Sequence, residues 1–310
     1  MKGKSVDRPI FLVGCGRSGT TVLYEVLCAH PDLAWFSNYT ERWPRVPQLA
    51  LLSHLRRLKR VRCSNSRFTP KPVEGYPIWN VCCERSPNAE NAPLADTDVV
   101  EAEFQCFKRL IAGHLRYQRA SRFVNKNTRN SRRIRYLRQM FPDALFIHVL
   151  RDPRATAGSL IRVSWWMDLP LWWADNQTPR QLVASGHSHA VLAANHWRVV
   201  VERLLADSQT LPPGRYLEVR YEEFMESPTD VLGEIVAFCG LPWSQELAEA
   251  VQDRPLISTN AKFHDQFSST ELAAMSSAFG PLLAKLGYPG VESNLADSQM
   301  ASERPLTERI

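Results

Sequence analysis

An apolar run, a glycine-rich turn and a helical pattern follow one another without a break near the start of the chain, and this order constrains the fold more than any other feature. Residues 10–13 (IFLV) form a continuous apolar run, which is typical of a strand buried on both faces of a sheet. The turn at 14–19 contains three glycines and leads into a helical pattern at 20–28. A strand, a tight turn and a helix in this order open a βαβ unit, so the sequence predicts an α/β fold.

Later apolar runs support the same fold class. Residues 33–37, 144–150 and 215–219 are predicted to be strands, and helical patterns lie between them. Strands that alternate with helices favour a central, mainly parallel sheet with helices on both sides. We therefore predict a three-layer α/β fold of the P-loop type.

A single domain accounts for the organisation of the chain. No internal repeat and no linker-like composition interrupts residues 1–310. The stretches 43–122 and 164–190 are less regular and are predicted to be insertions, the second of which holds two tryptophan pairs. Residues 290–310 are polar, and we expect them to form a frayed tail.

The net charge of +6 is concentrated in two short stretches. Residues 55–62 and 129–138 each hold five basic residues and no acidic one, and the remaining 28 basic and 32 acidic residues give −4. The chain is therefore mildly acidic with two basic patches. A small anionic ligand accounts for such patches as well as a polyanion does.

Apolar runs and cysteines indicate the compartment. No apolar run approaches the roughly 18–20 residues that cross a bilayer, and the first residues lack the apolar core of a secretory signal. The seven cysteines are irregularly spaced and form no CxxC pair, which argues against zinc. We expect reduced thiols in a cytoplasmic protein without an integral membrane span.

The turn after the first strand has the spacing of a phosphate-binding loop. Residues 14–21 read GCGRSGTT, so four residues separate the opening glycine from Gly19. Glycines allow backbone N–H groups and the N-terminus of the next helix to converge on an anion. Side chains that add donors come from Arg17, Ser18, Thr20 and Thr21. Because Thr20 replaces the lysine of a nucleoside-triphosphatase loop, the site suits a 5′-phosphate better than cleavage of a γ-phosphate.

The loop GCGRSGTT resembles the 5′-phosphosulfate loop of the PAPS-dependent sulfotransferases, where PAPS is 3′-phosphoadenosine 5′-phosphosulfate. That family has a second signature, an arginine after a strand and a serine eight residues later, as Arg151 and Ser159 stand here. An arginine at the end of a buried strand presents a planar fork that suits a phosphate. The segments at 123–126 (FVNK), 221–224 (YEEF) and 238–243 (FCGLPW) resemble the branch that includes tyrosylprotein sulfotransferases and many bacterial enzymes.

This resemblance implies transfer of the sulfuryl group of PAPS to a hydroxyl, with adenosine 3′,5′-bisphosphate as the product and no metal. It implies a 5′-phosphosulfate site formed by Arg17, Ser18, Gly19, Thr20 and Thr21. It assigns the 3′-phosphate to Arg151, Ser159 and Lys262, the adenine to Tyr221, and the sulfuryl and leaving oxygens to Lys126 and Arg17.

The catalytic base is where the chain departs from the family pattern. The tyrosylprotein branch has a G-E-E-T run after the second strand, whereas residues 36–41 read FSNYTE here. Asn38 or Tyr39 takes the place of the carboxylate, and Glu41 stands shortly after it. A general base needs a carboxylate within hydrogen-bond reach of the hydroxyl that it deprotonates. We predict Glu41 as the base and keep Glu74 as the alternative.

The acceptor and the partners follow from the same reasoning. We expect the acceptor to be a hydroxylated small molecule, lipid or glycan, and we expect no nucleic-acid partner; a homodimer stays open. The basic stretch at 55–62 is the sequence clue that the acceptor is itself anionic. The alternatives are a P-loop kinase or nucleoside triphosphatase, and a non-catalytic protein that binds the bisphosphate or nucleic acid.

Overall fold

A five-stranded parallel sheet lies at the centre of the fold in a computed structural model, which describes residues 6–58, 61, 66–83, 92–254 and 256–289. The strands are β1 (Ile10–Val13), β2 (Leu33–Ala34), β3 (Arg122–Lys126), β4 (Leu145–Leu150) and β5 (Tyr216–Arg220). Their order is β2-β3-β1-β4-β5, and every pairing is parallel. The predicted α/β class is confirmed. The predicted tail at 290–310 and positions 59, 60 and 62 of the basic stretch lie outside the described residues.

Helices connect the strands. The α-helices are α1 (Thr20–Leu27), α2 (Asn38–Arg42), α3 (Tyr76–Cys82), α4 (Glu101–Tyr117), α5 (Ile134–Met140), α6 (Pro153–Leu160), α7 (Pro179–Ala184), α8 (His189–Ser208), α9 (Tyr221–Glu226), α10 (Pro228–Cys239), α11 (Gln245–Gln252), α12 (Ser269–Phe279) and α13 (Leu282–Lys285). Short 3-10 helices cover Pro47–Arg57, Asp96–Asp98, Thr128–Arg132, Ser164–Asp168 and Asn260–Phe263. No helix among the described residues combines the length and the apolar character needed to span a bilayer.

The chain groups into two compact units. The first contains the sheet and consists of the residues up to Arg151 together with Arg203–Ser258. The second consists of Asp152–Glu202 and the residues from Thr259 onward. Within the second unit, Trp197 packs edge-on against Phe279 with ring centroids 5.5 Å apart. The predicted single domain with insertions stays a prediction.

The apolar strands form the core of the first unit because both of their faces are covered. Every residue of β1 and β4 is buried, as their continuous apolar runs predict for a parallel sheet. Every residue of β3 is buried as well, although its sequence RFVNK is not an apolar run and was not predicted to be a strand. The core also contains two fully buried histidines. His148 lies within β4, where its Nδ1 is 2.7 Å from the Tyr216 hydroxyl, and His114 lies in α4, with Nδ1 2.8 Å from the carbonyl oxygen of Leu110.

Acidification is expected to destabilise the fold through these two histidines. Burial lowers the pKa of each from the ordinary value of 6.5 to about 4. Below pH 6.5 the unfolded chain binds two protons that the folded chain excludes, so stability present at neutral pH is lost as the pH falls toward 4. The expected loss is about 2 kcal/mol per histidine by about pH 5. Urea unfolding at about pH 7 and pH 5 measures the loss. His148→Gln should remove about half of it, whereas exchange of the exposed His187 should leave it unchanged.

A disulfide links two helices of the first unit. Cys82 at the end of α3 is bonded to Cys106 in α4, with Cα atoms 5.4 Å apart. The prediction of reduced thiols is therefore wrong for these two residues. The sequence did not predict this pair, because the two cysteines are 24 positions apart and come together only where α3 packs against α4. Cys15, Cys28 and Cys239 are buried thiols.

Candidate active site

Polar residues follow the carboxyl ends of four adjacent strands of the sheet. The glycine loop follows β1, Lys126 ends β3, Arg151 follows β4 and Tyr221 follows β5. Because these strands are parallel neighbours, their carboxyl ends lie along one edge of the sheet. Ligands of open α/β sheets bind at this edge. The structure thus places the loop, Lys126, Arg151 and Tyr221 along one edge of the sheet, and their predicted roles stay predictions.

Two hydrogen bonds hold the start of the glycine loop. The Gly14 N–H donates to Ser131 Oγ over 2.8 Å, and the Ser131 hydroxyl donates back to the Gly14 carbonyl oxygen over 2.7 Å. Gly14 has φ +153°, and an added Cβ would lie 2.6 Å from the carbonyl oxygen of Val149. This glycine is therefore required by the close approach of the β4 backbone.

The rest of the loop presents donors at the start of α1. Arg17 has a left-handed φ of 74° and an exposed side chain, while Ser18 and Thr20 are buried and Thr21 is exposed. Gly19 is the N-cap of α1, and no side chain caps that helix. Backbone N–H groups at such a helix start, together with its dipole, attract an anion.

Arg151 joins the glycine loop to the residue that follows β5. Its Nη1 donates to the carbonyl oxygen of Arg17 over 2.9 Å, and its guanidinium carbon lies 4.5 Å from the centroid of the Tyr221 ring. Arg151 is only 5% exposed. A buried guanidinium that stacks on an aromatic ring has its fork oriented before an anion arrives.

Gly19 meets Tyr221 so closely that no side chain fits between them. Its φ is +84°, and an added Cβ would overlap the Tyr221 ring. Gly19→Ala is expected to weaken binding of adenosine 3′,5′-bisphosphate about tenfold, because left-handed backbone costs a non-glycine residue roughly 1–2 kcal/mol and the ring must also move. Isothermal titration calorimetry measures the affinity. Gly233→Ala in α10 is the matched control, since an added Cβ there meets nothing within 4 Å, and equal affinities for the two variants would contradict this role of Gly19.

A cluster of arginines beside the loop belongs to the basic stretch at 129–138, which the sequence analysis named as a patch suited to an anionic ligand without assigning any of its residues to the site. Arg132 and Arg133 are each 8% exposed, whereas Arg135 pairs with Asp96 over 2.7 Å. Burial, followed by the charges of Arg133 and Arg129, lowers the pKa of Arg132 to about 9. Positive charges that are buried close together repel one another, so a bound anion stabilises them. The signal that could have found them is the position of 128–132 directly after a buried strand, which returns it to the carboxyl edge of the sheet.

Lys126 is buried and ion-paired with Glu74. Its Nζ donates to Glu74 Oε1, and the Tyr76 hydroxyl donates to the other carboxylate oxygen. The backbone carbonyl of Glu74 also accepts from the side-chain amides of Asn125 and Asn127, each over 3.2 Å. Three successive residues at the end of β3 therefore hold Glu74 in place, although 52 positions separate it from Lys126.

Glu41 lies close to Glu74. It belongs to α2, whose start is closed by a capping box between Ser37 and Thr40. The backbone of Gly75, which directly follows Glu74 in the chain, acts to lower the pKa of Glu41. Burial, with a smaller effect of the Glu74 charge, raises the pKa of Glu41. The structure thus gathers both candidate bases and Lys126 in one place.

The positions that replace the family's carboxylate have structural roles. The Asn38 side chain donates to the carbonyl oxygen of Thr69 over 3.2 Å and accepts the Lys71 N–H over 2.9 Å. The Tyr39 hydroxyl donates to the carbonyl oxygen of Phe68 over 2.7 Å. Both residues attach the segment at 66–72 to α2.

Ser159 and Lys262 belong to the second unit, and the structure places their segments against each other. Ser159 lies in α6, and the exposed Lys262 lies in the 3-10 helix Asn260–Phe263. The side-chain amide of Gln266 donates to the carbonyl oxygen of Gly158 over 3.0 Å, and the guanidinium carbon of Arg154 lies 5.0 Å from the Phe263 ring centroid. Their predicted contacts with the 3′-phosphate stay predictions.

Comparison with known proteins identifies the family. The model of the sulfotransferase family matches residues 9–245. The omega-hydroxy-beta-dihydromenaquinone-9 sulfotransferase Stf3 of Mycobacterium tuberculosis is 24% identical, over 91% of this chain and 76% of that protein. The protein-tyrosine sulfotransferase of Drosophila melanogaster is 23% identical, over 90% of this chain and 51% of its own length.

Solved structures agree at the level of the fold. The sulfotransferase STF9 from Mycobacterium avium has a TM-score of 0.59 at 19% identity, covering 92% of this chain and 78% of that one. STF1 from Mycobacterium tuberculosis has a TM-score of 0.55 at 17% identity, covering 89% of this chain and 77% of that one. The predicted resemblance is confirmed, and the chain belongs to the sulfotransferase family.

Proposed function

We propose that this enzyme moves the sulfuryl group of PAPS to a hydroxyl of a small-molecule, lipid or glycan acceptor and releases adenosine 3′,5′-bisphosphate. The observation that carries this proposal is the meeting of the glycine loop, buried Arg151 and the Lys126–Glu74 pair at one edge of the sheet. The first two suit phosphates, and the third places a cation and a carboxylate beside them.

The residues present fit such a donor. A glycine that admits no Cβ, an uncapped helix start and buried arginines together form a cradle for an anion. Arg17, Ser18, Gly19, Thr20 and Thr21 would hold the 5′-phosphosulfate. Arg151 would hold the 3′-phosphate and Tyr221 would contact the adenine. The assignment of Ser159 and Lys262 to the 3′-phosphate stays a prediction of the family resemblance. Bound PAPS supplies the sulfuryl group and a phosphate leaving group.

Glu41 is proposed as the general base. It would accept the proton of the acceptor hydroxyl on a carboxylate oxygen as that hydroxyl oxygen bonds to sulfur and the bond between sulfur and the 5′-phosphate oxygen breaks. The raised pKa supports this role, because a base is more effective when its pKa approaches the working pH.

Lys126 and Arg17 are proposed to stabilise charge. Lys126 Nζ would donate to the sulfuryl oxygens, and Arg17 would stabilise the leaving oxygen. Glu74 is proposed as a positioning residue, because its carboxylate holds both Lys126 and Tyr76. Glu74 also stays the alternative base.

The acceptor class and the location extend the proposal. The names of the relatives indicate a hydroxylated quinone in one case and protein tyrosine in the other, and both acceptors carry a hydroxyl. A cytoplasmic location stays a prediction, and the Cys82–Cys106 disulfide weighs against it because such bonds are rare in reducing compartments. We still expect no nucleic-acid partner, and whether the protein forms a homodimer stays open.

Two measurements test the proposal. The protein is titrated with adenosine 3′,5′-bisphosphate, and sulfuryl transfer from radiolabelled PAPS is assayed on a panel of hydroxylated acceptors. We expect binding in the micromolar range and labelled product with at least one acceptor. Failure of the folded protein to bind the bisphosphate would overturn the proposal. Magnesium-dependent ATP or GTP binding that the bisphosphate cannot displace would instead favour a kinase or nucleoside triphosphatase.

A further inference from the structure

Large apolar side chains are exposed in one short part of the chain. Ten large hydrophobic residues are exposed among the described residues, and six of them fall between positions 43 and 68. We call these six the apolar surface: Trp43, Val46, Leu51, Leu55, Leu58 and Phe68. Their exposed fractions run from 41% for Val46 to 68% for Phe68. A concentration of this kind on a folded chain marks a surface that binds a partner or a membrane.

The segments that carry the apolar surface pack together within the first unit. The Tyr39 hydroxyl of α2 donates to the carbonyl oxygen of Phe68 over 2.7 Å. The Val46 N–H donates to the carbonyl oxygen of Trp43 over 3.0 Å, which turns the chain from α2 into the 3-10 helix Pro47–Arg57. That helix packs against α2. The six side chains thus belong to one connected part of the molecule.

The same part of the chain carries positive charge without any acidic residue. Residues 42–73 contain nine lysines and arginines and no aspartate or glutamate, and Glu41 and Glu74 lie directly outside this range. Three exposed arginines, Arg42, Arg45 and Arg67, each directly precede a member of the apolar surface. Arg67 also lies over the Phe68 ring, at 4.9 Å from its centroid.

This pairing of exposed apolar groups with cations matches the interface of an anionic lipid bilayer. Tryptophan, phenylalanine and leucine side chains insert at the level of the headgroups, and adjacent arginines bind anionic headgroups. A nucleic acid would use the arginines but would leave aliphatic side chains such as Leu51 and Leu55 exposed to water. The apolar groups therefore favour a bilayer over a polynucleotide.

We propose that the apolar surface and its three arginines dock this enzyme on an anionic bilayer. The docked segment runs in sequence between the two candidate bases, Glu41 and Glu74, and Glu74 is ion-paired with Lys126, so docking would bring the candidate catalytic residues next to the membrane surface. Resting on the proposed function, this placement selects the lipid among the acceptor classes, with the hydroxyl presented at the headgroup level.

Vesicle co-sedimentation tests docking without any transfer reaction. The full chain is mixed with vesicles of phosphatidylglycerol and phosphatidylcholine, or of phosphatidylcholine alone, and we expect binding to the anionic vesicles. The variant Trp43→Ser/Leu55→Ser/Phe68→Ser is expected to bind them at least about tenfold more weakly. The matched control Val100→Ser/Trp243→Ser/Ile257→Ser, which changes exposed apolar residues elsewhere in the same unit, should bind like the parent.

Charge is tested by a second variant. Arg42→Gln/Arg45→Gln/Arg67→Gln should lose about a hundredfold in affinity for anionic vesicles, since each surface arginine contributes about 1 kcal/mol. Bisphosphate affinity, measured on every variant, shows whether the protein is folded and separates failed docking from a failed proposed function. Absence of vesicle binding, equal weakening by the matched control, or self-association that the apolar variant alone abolishes would overturn the proposal. Binding to a polynucleotide instead of to vesicles, with an affinity that the apolar variant does not change, would also overturn the proposal.

Discussion

Glu41→Gln is expected to lower kcat for sulfuryl transfer by about 10²–10⁴, the range that general bases contribute. Glutamine keeps the size of the side chain and an oxygen that can accept hydrogen bonds, so the local fold should persist. Affinity for adenosine 3′,5′-bisphosphate should stay within about twofold, because the carboxylate is assigned to the acceptor and not to the cofactor. Transfer assays and calorimetry on the same preparation separate the two quantities.

The pH profile adds a readout that a merely structural role would not change. A base works only when deprotonated, so kcat should fall as the pH drops through the raised pKa of Glu41. Burial is the main cause of that raised pKa, and the Glu74 charge adds to it. Glu74→Gln removes the second cause and should therefore move the acidic limb of the profile to lower pH.

Glu74→Gln is also the matched test of which carboxylate is the base. As a positioning residue, Glu74 should affect kcat less than Glu41, because its removal loosens Lys126 and Tyr76 without removing the proton acceptor. An unchanged kcat in Glu41→Gln together with a collapse in Glu74→Gln would transfer the role of base to Glu74.

Arg151→Ala is expected to weaken bisphosphate binding by about a hundredfold, since losing one partner of a buried charge pair costs roughly 2–5 kcal/mol. The substitution removes the donor to the proposed 3′-phosphate. It also removes the hydrogen bond to the Arg17 carbonyl and the stacking on Tyr221, so the glycine loop loses its support.

Two further variants qualify that result. Arg151→Lys keeps the charge but not the planar fork, and should recover only part of the affinity. Arg180→Ala removes an exposed arginine that pairs with Asp168 in the second unit, and should leave affinity unchanged. Affinity equal to the parent in Arg151→Ala would contradict the assignment.

Local patterns made the cofactor side of this site predictable. The strand, loop and helix at 10–28 are contiguous in sequence, so apolar periodicity and glycine spacing are sufficient to locate them. Arg151 came instead from the family resemblance, because an arginine directly after a strand and a serine eight residues later match the second signature of the sulfotransferases. Parallel pairing of β1 with β3 and β4 then brings these local features together.

The acceptor side was less predictable because its contacts are long-range. Lys126 and Glu74 are 52 positions apart in the sequence but form an ion pair in the fold. The segment before Glu74 is attached to α2 by hydrogen bonds such as that from Asn38 to Thr69, and the periodicity of the sequence does not reveal them. The second strand, predicted over 33–37, is only two residues long, and Ser37 instead forms an isolated antiparallel bridge with Pro72. That bridge brings the segment before Glu74 alongside the segment before Glu41.

The Cys82–Cys106 bond has a consequence for how this protein is handled at the bench. It closes a loop between positions 24 apart, and a crosslink of that span restricts the unfolded chain enough to contribute about 3 kcal/mol to folding. The disulfide would be intact in buffers without dithiothreitol and reduced in buffers with it. The difference in the free energy of unfolding between the two forms would exceed the loss expected from one buried histidine on acidification. Unfolding curves are comparable only when the thiol reagent, like the temperature, is held constant.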